Sequence, residues 1–287
     1  MCKMAVRRLE SATEDIRHIV DEKVDLFIDE MCGIVNAGGE GLRLRPITIE
    51  QPKPLVEIGL PKQPLIYWSM LPMILGGVSH FIIGVRHGAA EIKRRVGTGM
   101  ELSRRFGREI TIAYVEEPEP LGRAGCIKYG IEQGIIDPDK PVIIFNASDI
   151  LRMNLRDLVR HHLWLRTYHG FEVTQVYTSG FRVQYGIGKV NYSTSQVTRF
   201  KEKPLFHSLA NTACYVTHGR LRDFKDIRKV PSNPEEELVP KWLMENTLGA
   251  YIISPEDIIS IKFQKDLERV FEMDIERFVK GAYDSTL

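Results

Sequence analysis

The stretch Ala37-Gly38-Gly39-Glu40-Gly41-Leu42-Arg43-Leu44-Arg45-Pro46 sets three glycines and two arginines at the end of the apolar run Cys32–Ala37. Glycine has no Cβ, so backbone N–H groups there can close on an anionic ligand. Arg43 and Arg45 add planar guanidinium donors, which meet phosphate oxygens in pairs. Lys53 follows, held between Pro52 and Pro54, which limit the backbone freedom lost when the lysine meets a phosphate. Asp149 stands four residues after Phe145, which ends the apolar run Pro141–Phe145. Parallel sheets bind their ligands at such strand ends. These residue types suit the binding of a phosphorylated ligand. A Walker A loop needs G-K-[ST], which is absent. A dinucleotide fingerprint needs a third glycine where, counting from Gly39, Leu44 stands. An arginine-rich surface turn explains the glycine loop alone, but not the Pro52-Lys53-Pro54 that follows it.

Elements that could position these groups read along the chain. Ser11 and Glu14 form a capping box for an amphipathic helix from Ser11 to Phe27, whose end competes with an extended stretch over Val24–Ile28. Cys32–Ala37, Phe81–Val85, Ile110–Val115 and Pro141–Phe145 read as short apolar strands. Pro64–Leu75, Ala89–Phe106 and Ala124–Gln133 read as helices between them, with Pro72 interrupting or ending the first. This alternation predicts βαβ units and a mostly parallel sheet. The fold class expected is α/β, a Rossmann-like three-layer αβα sandwich around a mixed, mostly parallel central sheet. After Leu151 the rhythm changes. Leu155–Trp164 reads as a helix, and Val173–Tyr177, Gly188–Val190, Val197–Phe200 and Asn211–Val216 as strands. Glu236–Asn246 and Lys265–Lys280 read as helices. No internal repeat is present, and no hexapeptide repeats that would build a C-terminal β-helix.

Composition narrows the setting. The 287 residues carry 39 basic and 38 acidic side chains, a net charge of +1. That balance argues against non-specific nucleic-acid or membrane-surface binding. No apolar run approaches the roughly 18–20 residues of a membrane span. The four cysteines, Cys2, Cys32, Cys126 and Cys214, form no C-x-x-C pair and read as scattered reduced thiols. With no secretory signal, a cytoplasmic location is expected. The basic stretch from Arg86 to Arg108 reads as a solvated helix face. His161-His162, near Trp164 and His169, reads as a surface helix with a tucked aromatic in preference to a metal site.

The order G-G-x-G-x-R-L-x-P-x-T from Gly38 to Thr48, then P-K-P-L-V from Pro52, resembles the signature of sugar-1-phosphate nucleotidyltransferases. Further segments match in order: Glu117–Gly125, Asn146–Asp149, Tyr185-Gly186, Phe200–Pro204 and Asn211–Tyr215. The first of these is most similar to mannose-1-phosphate guanylyltransferase-type members. Covering Met31 to Val216, the resemblance implies transfer of a nucleotidyl group from an NTP to a hexose 1-phosphate. The products would be an NDP-sugar and pyrophosphate. It implies that Gly38, Gly39, Gly41 and Gly125 bind the nucleotide, that Arg43 and Lys53 handle the reacting phosphates, and that Asp149 ligates Mg²⁺. It also implies that Gly186 and Glu202 meet the sugar and Lys203 its phosphate. The chain would then comprise an N-terminal helical extension, 1–30, and a nucleotidyltransferase domain, 31–287. That domain would divide into a nucleotide-binding half, 31–151, and a sugar-phosphate half, 152–287. Met31 stands where many members begin, so the acidic extension is either a regulatory arm or an over-long start. It offers a surface for a partner subunit or a homo-oligomer.

This sequence also departs from the pattern. Leu42 stands where Thr or Ser is usual, Arg123 where a small residue is usual, and Ala147-Ser148 before the metal aspartate. Ile258-Ile259-Ser260-Ile261-Lys262 gives the best match to the W-x-D-x-G-like segment of the second metal ligand, with Ser260 at the aspartate position. The alternative expectation is therefore a catalytically impaired homologue that binds nucleotide or sugar phosphate as a regulatory or partner subunit.

Overall fold

A computed structural model describes residues 21–183 and 185–284. The proposed capping box at Ser11 and Glu14 lies outside these residues. Helix α1 (Asp21–Glu30) is the first described element, and it settles Val24–Ile28 as helical. It packs Val24, Phe27 and Ile28 into the body of the protein.

The scaffold alternates as the apolar pattern requires. Strand β1 (Cys32–Asn36) leads through the glycine loop to α2 (Leu65–Gly76). Then come β2 (His80–Val85), α3 (Ala89–Val96), α4 (Met100–Phe106) and β3 (Thr111–Glu116). Next are α5 (Gly122–Glu132), β4 (Val142–Asn146), the short β5 (Asp149–Leu151) and α6 (Leu155–Trp164). The rest of the chain adds β6 (Val173–Thr178), a hairpin of β7 (Ile187–Asn191) and β8 (Gln196–Lys201), and β9 (Ala210–Thr217). It closes with α7 (Pro234–Met244), β10 (Leu248–Ile253), β11 (Ile258–Ser260), α8 (Gln264–Val270) and α9 (Ile275–Asp284).

Seven strands form one sheet in the order β10-β6-β9-β4-β1-β2-β3. All neighbours run parallel except β9, which is antiparallel to both β4 and β6. The sheet is mixed and mostly parallel, as expected. Side chains alternate across it. Val35, Ile83, Ile143 and Phe145 face a core with α1, α2 and α6. Ile34, Ile82, Ile144 and Tyr215 face a second core with α5 and α7. Helices on both faces make the three-layer αβα sandwich. A third cluster joins Leu65, Trp68 and Leu71 of α2 to Ile150, Ile259 and the helices α8 and α9.

Three elements differ from the sequence reading. α2 runs on through Pro72 to Gly76 instead of ending there. Nearly every side chain of α2 is buried, and burying each large apolar one stabilises by about 1.5–3 kcal/mol, which outweighs a missing N–H. The long helix expected over 89–106 splits into α3 and α4 at Gly97 and Gly99, whose φ of 67° and 99° breaks a right-handed helix. The helix expected over 265–280 likewise divides into α8 and α9. His162, expected on a surface helix, is completely buried. Its Nδ1 pairs with Thr174 Oγ1 at 2.8 Å, Nε2 has no partner among the described residues, and Phe27 of α1 packs on its ring. Burial pushes its pKa down to about 3, with Arg166 and His218 adding to the shift.

Candidate phosphate-binding cleft

The ends of β1, β2, β3 and β4 open onto one cleft of about 530 Å³. Gly38, Gly39, Gly41, Arg43 and Lys53 all line it, joined by Arg86, Glu117, Arg123 and Lys262. The glycines are not interchangeable. A Cβ on Gly38 would lie 2.4 Å from Glu117 Oε1 and 3.4 Å from the Arg86 backbone nitrogen, whereas one on Gly39 would meet nothing within 4 Å. Gly39 therefore leaves its backbone open to a ligand. Gly41 takes φ 65°, and a Cβ there would press on Thr48 and on Lys53 Cβ. Thr48 Oγ1 donates to Gly41 O at 3.0 Å and latches the loop against the turn that carries Lys53.

Five cationic side chains line the cleft against one carboxylate, so it favours an anionic ligand although the chain is nearly neutral. Two of the five are already paired: Arg86 with Glu40 at 2.9 Å, and Arg123 with Glu235 at 2.7 Å. Among the described residues, Arg43, Lys53 and Lys262 make no ion pair. Lys53 is largely dehydrated, which pushes its pKa down to about 8. The Asp149 carboxylate opposes that shift, while Arg43 and Lys262 reinforce it. Burial raises the Glu117 carboxyl, and Glu117 Oε2 accepts from Leu121 N at 3.1 Å.

Asp149 sits behind the cleft at the start of β5 and is buried. Its Oδ2 accepts from Asn146 Nδ2 at 3.0 Å and from Ser148 Oγ at 3.4 Å. Strand β11 pairs antiparallel with β5 and sets Ser260 directly opposite Asp149. The Ser260 hydroxyl donates to Asp149 Oδ1. Mg²⁺ takes oxygen lone pairs in near-octahedral geometry, normally from one or two carboxylates and the substrate's phosphates. Here each Asp149 oxygen already accepts from this chain, and a serine stands opposite it. Among the described residues, no three His, Cys, Asp or Glu converge as a metal site. The residues present do not fit a two-carboxylate Mg²⁺ seat.

The remaining expected residues lie apart from these. Gly125 is within α5, packed on Leu121 and Val230. Gly186 and Glu202 are brought together at the base of the β7–β8 hairpin, where a Gly186 Cβ would lie 2.8 Å from Glu202 Oε2. Glu202 pairs with Lys203 at 3.4 Å, and both are well exposed. Lys203 has φ 41°, a strained value for a residue with a Cβ. None of the four lines the cleft.

Sequence reasoning missed Arg86 and Lys262. Arg86 directly follows β2, the position at which parallel strands present groups to ligands, and that was the available signal. Lys262 enters only because β11 folds back on β5, which no local spacing reveals. A polar network also went unread. Tyr215 Oη donates to Glu235 Oε1 at 2.8 Å, and Asn211 Nδ2 donates to both, tying β9 to the Arg123 side of the cleft.

A cationic, glycine-floored cleft at the strand ends of a mostly parallel sheet defines an α/β protein whose cleft suits an anionic ligand. Comparison gives the family: residues 32–247 match the family model described as nucleotidyl transferase, and the chain belongs to that family. It is 29% identical over 223 residues to mannose-1-phosphate guanyltransferase beta-A of Xenopus laevis. It is 31% identical over 226 residues to the mannose-1-phosphate guanyltransferase of Pichia angusta. Each match covers 77% of this chain, which spans 58% of the length of those curated relatives. A Bacillus anthracis structure solved with sucrose, and attributed to a glucose-1-phosphate thymidylyltransferase, shares the fold at TM-score 0.62 and 19% identity. That match covers 90% of this chain and 97% of the other. HddC from Yersinia pseudotuberculosis, complexed with GMP-PN, does so at TM-score 0.58 and 20% identity, over 86% of this chain and 99% of the other.

Proposed function

We propose that this chain binds a nucleoside triphosphate in the glycine-floored cleft and transfers its nucleotidyl group to a hexose 1-phosphate. One observation carries the reading: the glycine loop, Arg43 and Lys53 line a single cleft in front of buried Asp149. A sugar-phosphate oxygen bonds to the α-phosphorus, the bond from that phosphorus to the bridging oxygen breaks, and pyrophosphate leaves. Such a displacement depends on positioning and charge stabilisation, with little covalent work by the protein. The backbone at Gly39 approaches the phosphates, and Arg43 and Lys53 offset the charge that develops on the leaving pyrophosphate. Gly186, Glu202 and Lys203 take the sugar phosphate.

The test is pyrophosphate release from a panel of NTP and hexose 1-phosphate pairs, with and without Mg²⁺. Turnover with at least one pair is expected, and Arg43→Ala or Lys53→Ala lowers it by about a hundredfold. Unchanged turnover in both variants refutes the assignment of the phosphate groups.

A second reading has its own support. The Ser260 hydroxyl satisfies Asp149 where a second acid was expected, which favours a catalytically impaired homologue acting as a nucleotide-binding or partner subunit. Nucleotide binding without turnover of any pair would select this reading.

A further inference from the structure

Ser260 and Lys262 stand two residues apart at the end of β11, and together they change the charge of the site. Ser260 presents a hydroxyl to Asp149 in place of an acid. Lys262, carried past the strand end, lines the cleft and lies within electrostatic reach of Lys53. Arg43 lines the same cleft and also acts on Lys53. Three cations thus converge with no carboxylate ion-paired to any of them among the described residues. Of the acids near them, Asp149 is hydrogen-bonded by Ser260, Asn146 and Ser148, Asp266 accepts from the Lys262 and Phe263 backbone nitrogens, and Glu117 accepts from Leu121 N. A cluster of like charges repels itself and costs stability unless a polyanion offsets it. Among the described residues, Asp149 has no second carboxylate beside it to share a divalent metal, because Ser260 stands directly opposite it and donates to Oδ1.

We propose that Arg43, Lys53 and Lys262 form a metal-independent clamp for a polyphosphate chain, in which the Lys262 ammonium supplies charge that a divalent cation would otherwise bring. The proposal deepens the nucleotide-binding reading of this cleft and rests on it for the identity of the natural ligand. Ser260 follows from the same logic, because a hydroxyl turned into Asp149 keeps that carboxylate from pairing with the clamp lysines.

Titration calorimetry with inorganic tripolyphosphate and with each NTP, in EDTA and in excess Mg²⁺, tests this. Tripolyphosphate binds in EDTA at least as tightly as in Mg²⁺, because the metal removes charge from the ligand. Lys262→Ala and Lys262→Gln each lose about tenfold in EDTA, the usual worth of one charge-assisted contact, with circular dichroism unchanged. The double substitution Ser260→Asp with Lys262→Gly makes binding depend on Mg²⁺. Binding of NTPs that requires Mg²⁺ in the unmodified protein overturns the clamp and leaves the nucleotide reading standing. Wild-type affinity in both Lys262 variants also overturns it. Tripolyphosphate binding without any NTP binding upholds the clamp and sinks the nucleotide reading. No binding of either ligand in any condition overturns both.

Discussion

Lys53 and His162 are both bases held below their ordinary pKa by dehydration, yet the consequences differ. Lys53 faces a cleft, so its proton matters to ligand binding. With its pKa at about 8, it is mostly cationic at neutral pH and loses that charge as pH rises. A bound phosphate holds the proton, so affinity for tripolyphosphate falls as pH rises through 8. Calorimetry from pH 7 to 9 checks this, and Lys53→Ala should flatten the profile. His162 faces no cleft, so its proton matters to stability. Its folded pKa is about 3 against an ordinary value of 6.5. Below pH 6.5 the unfolded chain takes up a proton that the folded one refuses, so stability is lost as pH falls from 6.5 towards 3. At pH 5 the loss is about 2 kcal/mol. Thermal unfolding from pH 7 to 5 should show this slope in the protein and a clearly shallower one in His162→Phe, where, of the histidines held low by burial, only His161 and His218 remain. Of these groups the sequence showed Arg43, Lys53 and Asp149, because each is adjacent to glycines, prolines or a strand end. Lys262 and the burial of His162 depend on distant segments and carry no local signal.

The elements that obey simple periodicity were read closely, and the misses have specific causes. Strands β1, β2 and β4 show as continuous apolar runs because both faces are covered. α2 continued past Pro72 because tertiary burial overrides a local breaker. The strand β9 holds a subtler departure. Its register shifts between Asn211 and Cys214, and Ala213 takes φ 59° there. Left-handed backbone costs a residue with a Cβ roughly 1–2 kcal/mol. Ala213→Gly is expected to stabilise the protein by about 0.5–1 kcal/mol, net of the freedom glycine adds to the unfolded chain. Urea unfolding measures it, and a lower midpoint would show that the methyl packing of Ala213 outweighs the strain.

Across the whole molecule, near-neutral charge conceals a cationic centre, and the fold carries one thinly supported appendage. Every residue of β7 and β8 is exposed, and Tyr192 at the turn is 96% exposed. A two-stranded hairpin alone is marginal in water. Limited proteolysis should therefore cut first near Tyr192. The two pieces stay together, because β9 in the later piece pairs with β4 and β6 in the earlier one. Native mass spectrometry after brief digestion checks this, and separated pieces would refute it. That same strand imposes an order on synthesis. A growing chain can assemble β3-β2-β1-β4 early, and β6 follows, yet the two must wait apart for β9. Until Thr217 has left the ribosome, the facing edges of β4 and β6 stand open, and open edges invite pairing with other chains. The antiparallel strand thus sets a stretch of translation during which this protein depends on being shielded from its neighbours.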